Sequence, residues 1–562
     1  MILNKKKAIG VVSVIVFLAV FMITSGNDIR YFFAEMIYGG ENPIESSMIF
    51  SKKSGFYGED FDLKIYAPTK EIYYTLDGSE PTIDSIKYET PIRITDASVN
   101  ENVYSSRTDV CGSFLTEDSL YQVPDYLVDK CTVLRAIYFD SDGNASEAET
   151  RVFFVGYGSK TGYEGVNVIA VTSDSENLFG EENGIYVLGA AFSDYQKEHD
   201  LSERNYYRWE ANYLNRGKEW EREANIQVFN TGKELVLSQN VGVRIQGGVS
   251  RGLLPKSLNF YARSEYGDNR LTYDFFDTGY YPQRVTLSGG GNDYYGKILD
   301  RLGAELSEDL EFCTMHYVPY VLFLNGEYWG IYHLTEKYDD HYIEQYYDVE
   351  SDNVVIVKNG NLERGTEEDL DAYDQMKNFV EYADMTVEEN YQMACTMLDM
   401  QSMIDYFAAE IYMARQVDWP SSNYALWRSR TVSDKPYEDG KWRWMLFDVN
   451  TAAMVDDFID HDTLAYVLEE SSMFANLYKN REFRLKFQER LREMKDTVFE
   501  PSKVKEILTQ YEQELAEPME NNHQRFFGSS NEPFLYRVKI MKEFIDQRPD
   551  YIETMIQNNE ID

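Results

Sequence analysis

Residues 401–450 change hydrophobic period within a short span, and that change fixes the local fold there. QSMIDYFAAEIYMARQ, residues 401–416, spaces its apolar side chains as a helix does. A loop, DWPSSN, follows. NYALWRSR (423–430) and KWRWMLFD (441–448) then read as two strands. The polar segment between them holds Pro436 and Gly440, so it reads as the turn of a hairpin. Symmetric pairing of the two strands sets Asn423 opposite Asp448 at the open end, with Asp418 in the loop just before. Three oxygen-bearing side chains then converge on one small volume. That suits chemistry on phosphates, because Mg2+ takes carboxylate and amide oxygens.

The spacing has a chemical precedent. In protein kinases a catalytic-loop Asp is followed five residues later by a metal-binding Asn, and a hairpin leads to a second metal-binding Asp. Asp418, Asn423 and Asp448 keep that order, without His-Arg before Asp418 or Phe-Gly after Asp448. A phosphate cradle is also needed, and GGVSRGLLPKS (247–257) supplies a candidate. Gly247 and Gly248 permit close backbone approach, Ser250 can donate, and Arg251 and Lys256 bring cations. The plainer reading is a hairpin loop with a surface Arg and Lys.

The rest of the chain is organised around this segment. At 562 residues it is too long for one core. Residues 45–156 hold short runs rich in aromatic and β-branched residues, FDLKIYAP, EIYYTLDG, PIRIT, CTVLRAIYF and TRVFFVG, separated by turns such as Asp77-Gly78. They predict a β-sandwich, with 97–130 as an insertion. Residues 157–360 mix strands and short helices, and Asn325-Gly326 marks a two-residue hairpin. Residues 361–400, and those from about 463 onward, are helical in pattern. The net charge of −42 repels phosphate backbones, so no nucleic-acid partner is expected.

The N-terminus differs. Lys5, Lys6 and Lys7 precede an uncharged stretch, residues 8–27, long enough to span a bilayer. The lysines predict a cytoplasmic tail and an extracytoplasmic remainder. A transmembrane anchor is the expectation, and a cleaved signal peptide is the alternative, in which case the protein is secreted. Cys111 and Cys131 form a disulfide in one reading and are two buried thiols in the other. Six His without an H-E-x-x-H pattern argue against a zinc enzyme.

Several segments, in order, resemble the spore coat protein H (CotH) kinase family, an atypical protein-kinase-like family. They are NVIAVTSDSENLFGEENGIYV (167–187), WEREANIQVF (220–229), GVRIQGGVSRGLLPKSLNFY (242–261), GGNDYYGKILDRLGAEL (290–306), LFLNGEYWGIYHLTEKYDDHYI (322–343), VDWPSSNYALWR (417–428) and WRWMLFDVNTAAM (442–454). YYTLDGSEPT (73–82) resembles the fibronectin-type-III-like domain at the C-terminus of chitobiases and β-hexosaminidases. The resemblance implies an α+β chain. A membrane helix in 1–30 would precede a sandwich at 45–156 and an atypical kinase-like domain with a helical C-terminal part at 160–562. It implies a protein kinase using ATP with Mg2+ or Mn2+ on Ser or Thr of surface or coat proteins. Carried over by position, Asp418 is catalytic, and Asn423 and Asp448 hold the metal. Lys256, Arg251, Ser250 and Glu336 bind the nucleotide. The alternative is a non-catalytic surface scaffold or adhesion protein on the same fold, with the sandwich as a spacer or glycan binder.

Overall fold

A computed structural model describes residues 48–201, 205–451 and 453–561. The expected anchor at 8–27 lies outside them. Among the described residues no helix is long and apolar enough to cross a membrane.

Alternating burial builds the N-terminal sandwich. Ile92–Ile94 buries its two Ile and exposes Arg93, as a strand with one core face must. A five-stranded sheet runs in the order Gly55–Tyr57, Glu149–Val155, Thr132–Tyr138, Ile72–Thr75, Ile86–Lys87. It faces two strand pairs, Ile49–Phe50 with Ile65–Tyr66 and Phe61–Leu63 with Ile92–Ile94. Phe50, Leu63, Ile94, Leu134 and Phe153 close the core between them.

The insertion 97–130 has no strand and lies against the next domain. The buried Glu327 carboxylate accepts the N–H groups of Val103 and Ser105, each at 2.6 Å, and of Tyr104 at 3.2 Å. Gln122 N donates to Phe526 O at 2.8 Å. The Cys111 thiol donates to Gly252 O at 3.1 Å. Cys111 and Cys131 are both free and belong to different hydrophobic clusters, so the structure selects the two-thiol reading.

Seven strands then close a barrel: β1 (Asn167–Thr172), β2 (Arg222–Phe229), β3 (Leu235–Ile245), β4 (Leu258–Tyr261), β5 (Arg284–Ser288), β6 (Tyr317–Leu324) and β7 (Glu327–Thr335). Their order is β1-β2-β3-β4-β5-β7-β6, and β6 returns parallel to β1. Asn325-Gly326 makes the expected β6–β7 turn, both with positive φ. Gly326 is required twice over, because a Cβ there would lie 2.8 Å from Cys131 O. Between β5 and β6 runs helix α1 (Leu299–Leu306).

After β7 the chain crosses into a second lobe. Its four-stranded sheet runs β9-β8-β10-β11, with β8 at Val354–Lys358, β9 at Asn361–Arg364, β10 at Ala425–Ser429 and β11 at Arg443–Met445. Helix α2 (Glu367–Tyr382) starts at a Thr366/Asp369 capping box. Helix α3 (Met400–Tyr412) is buried all round from Ser402 onward, as an apolar helix at the centre of a lobe must be. It ends four residues before the sequence pattern does, because Ala414 turns to φ 59° and sends Arg415 inward. Two long helices, α4 (Pro501–Phe527) and α5 (Glu532–Asn558), pack against each other and complete the lobe.

Candidate functional site

A cleft of about 710 Å3 lies between barrel and second lobe, and Gly247, Ser250, Glu336, Asp418, Asn423 and Asp448 all line it. Arg251 and Lys256 do not. The reason is local. The loop from β3 to β4 turns at Gly247, φ 119°, where a Cβ would meet Ser250 Oγ. Arg251 folds back under the loop: its Nε donates to Gly247 O at 2.9 Å and its Nη1 to Asn215 O at 2.8 Å and Tyr213 O at 3.1 Å. Lys256 is fully buried, with Nζ on Arg251 O at 2.5 Å and 3.6 Å from the centre of the Tyr213 ring. Burial pushes that amine down to about 7. Both cations brace the loop from behind instead of reaching a phosphate.

The hairpin behaves differently from its simplest pairing. Ala425 pairs with Met445 and Trp427 with Arg443, so the ladder sets Asn423 opposite Phe447, one residue from the expected partner Asp448. Asn423 and Asp448 nonetheless meet at the cleft because both have left the ladder, at φ 53° and 60°. Asn and Asp tolerate that conformation, whereas the neighbouring Val417, at φ 77°, is strained by it. Asn423 Nδ2 donates to Asp418 Oδ2 at 2.8 Å, which leaves its amide oxygen as an acceptor. Asp418 Oδ1 accepts no hydrogen bond and lies 3.7 Å from Arg415 Nη2.

Arg415 sits beneath the acids. Its Nη2 donates to Asp448 O at 2.6 Å, and its Nη1 donates to Glu410 Oε1 at 2.7 Å and Phe447 O at 3.3 Å. Burial works against its charge, and Glu410, Asp418 and Asp448 overcome it, so the guanidinium stays cationic. Burial raises Asp418 above the ordinary carboxylate value, and Asp448 adds to the rise against the pull of Arg415. The cleft thus holds more negative charge than its own cations balance.

Four lining residues carried no clear sequence signal. Asp300, in the first turn of α1, accepts from Val449 N at 2.7 Å and from Asn450 Nδ2 at 2.9 Å. The same Asn450 nitrogen donates to Asp448 Oδ1 at 2.7 Å. Burial and the Asp448 charge push Asp300 up to about 7. Lys337 and Lys358 line the cleft as well. An Asp in a first helical turn reads as a helix-dipole charge, and a Lys after a strand reads as solvated surface.

Glu336 is buried and already engaged. It accepts from His316 N at 2.7 Å, lies 3.0 Å from His316 Nδ1, and takes a short hydrogen bond from Tyr346 OH. The Glu336 bond raises the His316 pKa, against burial. A raised histidine adds stability that is fully present below its unfolded value, about 6.5, and is lost as pH rises through the folded value. Glu336→Gln is expected to return His316 to its ordinary titration. Nuclear magnetic resonance titration of the imidazole checks this, and an unchanged His316 would show that another group holds it.

Among the described residues no three His, Cys, Asp or Glu side chains group as a ready-made cation site. The donor set here mixes acids with amides. The Asp448 charge raises the proton affinity of both Asp300 and Asp418, and Asn423 offers an amide oxygen. A hard divalent cation fits such an oxygen-only set and would relieve the repulsion.

Barrel, second lobe and cleft define a two-lobed α+β protein that gathers acids, amides and lysines between its lobes. Residues 243–552 match the family model described as CotH kinase protein, and residues 61–153 match the one described as Fn3 associated. The chain belongs to the CotH kinase protein family and carries an Fn3-associated domain before it. No curated protein matches it.

Proposed function

We propose that this chain is an ATP- and divalent-metal-dependent protein kinase, exported and membrane-anchored, that phosphorylates Ser or Thr of surface or coat proteins. The convergence of Asp418, Asn423 and Asp448 on one cleft beside a glycine loop carries this reading. Asp418 is placed to position the acceptor hydroxyl or take its proton, and its raised proton affinity suits that task. Asp448 and Asn423 would hold Mg2+ or Mn2+, which screens the charge of the phosphates when bound. Gly247, Gly248 and Ser250 offer backbone and hydroxyl donors to the phosphate chain.

A surface scaffold on the same fold is the second reading. Glu336 favours it, because its oxygens are taken by His316 and Tyr346 instead of a nucleotide-binding lysine. The full-length protein with γ-labelled ATP and Mg2+ or Mn2+ decides between them. Label on the chain or on a generic Ser/Thr acceptor, lost on chelation, is the expected result. No label together with no ATP-dependent thermal shift selects the scaffold.

A further inference from the structure

We propose that Lys337 and Lys358 form the anion clamp of the cleft and grip the phosphate chain of a nucleoside triphosphate. The identity of the anion rests on the kinase reading; the unpartnered state of the two lysines does not.

The argument starts from which cations are already spent. Lys256 and Arg251 bond to backbone carbonyls of their own loop and its neighbours. Arg415 is paired with Glu410. Lys337 and Lys358 have neither an ion-pair nor a hydrogen-bond partner among the described residues; the Lys358 amine lies only over the Phe447 ring, at 3.8 Å. In a chain with 96 acidic and 54 basic side chains, carboxylates are available everywhere. Two neighbouring lysines facing the cleft nevertheless pair with none, although Glu363 of the cleft lining acts on both and Asp448 on Lys358. Half-buried cations without partners carry a desolvation cost that a ligand would offset. That cost is visible at Lys337, which burial, Lys358 and Arg284 together push down to about 7.

Their placement fits one elongated ligand. Lys337 lies two residues past the end of β7, and the intervening Glu336 is anchored by His316 and Tyr346. Lys358 ends β8 opposite Ala425, two residues beyond Asn423. One amine therefore comes from the crossing between the lobes and the other from the second-lobe sheet. The Asp448 charge acts directly on Lys358, so the acid proposed to hold the metal and the lysine share one neighbourhood. A polyphosphate that bridges a divalent cation and two lysines meets both sets of groups at once.

Calorimetric titration of the full-length protein with inorganic tripolyphosphate, ATP and adenosine tests the clamp. Lys337→Gln and Lys358→Gln are each expected to weaken tripolyphosphate and ATP by about 10–100-fold, the worth of one charge-assisted bond. Adenosine binding should not change, and Lys337→Arg should recover most of the loss. Circular dichroism and thermal unfolding check that each variant is folded. A double Lys→Gln variant that binds tripolyphosphate like the parent overturns the clamp, as does a parent that binds no tripolyphosphate. An equal loss for adenosine also overturns it, since the lysines would then be shaping the fold. Label transfer with a clamp that fails leaves the kinase reading standing. Lysine-dependent tripolyphosphate binding without label transfer leaves the clamp standing on its own.

Discussion

Asp448→Asn is expected to abolish phosphoryl transfer while leaving the protein at least as stable as the parent. The two effects have separate causes. Asn tolerates the φ of 60° at this position, so the backbone that carries it, bonded to Arg415 through Asp448 O, keeps its path. The lost negative charge removes repulsion that now raises both Asp300 and Asp418. The unfolding temperature should therefore hold or rise. Transfer from γ-labelled ATP should fall by about 10²–10³-fold or more, as when a preorganised charge-stabilising group is lost. Retained transfer in this folded variant would show that Asp448 is not the metal-holding acid and would remove the main support for the kinase reading.

Arg415→Met should be the most destabilising single change around the site. Arg415 and Glu410 are both completely buried, 2.7 Å apart. Removing one partner strands a buried carboxylate and two backbone carbonyl acceptors, at a cost of about 3–5 kcal/mol. Trp419, Trp427, Trp442 and Trp444 are buried in this lobe, so denaturant unfolding followed by fluorescence reports on it. The sign of the pH dependence follows from Glu410. Burial already lifts it to about 7, so the folded state holds its proton more tightly than the unfolded chain. Its ionisation therefore costs stability as pH rises from the ordinary carboxylate range through about 7. Without the guanidinium that cost grows, so the deficit of the variant should be small in acid and large above neutrality. Adding Glu410→Gln should recover much of it. A deficit that does not change with pH would mean that the hydrogen bonds to Phe447 O and Asp448 O, rather than the buried charge, dominate.

The parts legible in the sequence were those set by period and turn chemistry. Alternation in Ile92–Ile94 and the positive-φ pair Asn325-Gly326 each encode their local structure in a few residues. Asp418, Asn423 and Asp448 were visible as a group because a helix, a loop and a hairpin bring them together. The register was missed by one residue because Asn423 and Asp448 leave the ladder, and no sequence pattern records where pairing stops. The direction of Arg251 and Lys256 was hidden for another reason. Glycines and cations in one loop give its charge, but the carbonyls of Tyr213 and Asn215 that turn Arg251 inward arrive from a distant segment. Asp300 and Lys337 were missed because a charge at an element's end has many ordinary uses.

The grip of segment 97–130 on Glu327 and Phe526 bears on how the sandwich works. A spacer joined by a loose linker would let the cleft sweep a wide volume. Here three backbone donors are riveted to one carboxylate on the barrel's own hairpin, and the Cys111 thiol reaches the backbone of the glycine loop. Sandwich and barrel therefore behave as a jig: whatever surface the sandwich rests on, the mouth of the cleft is presented at one fixed height and angle above it.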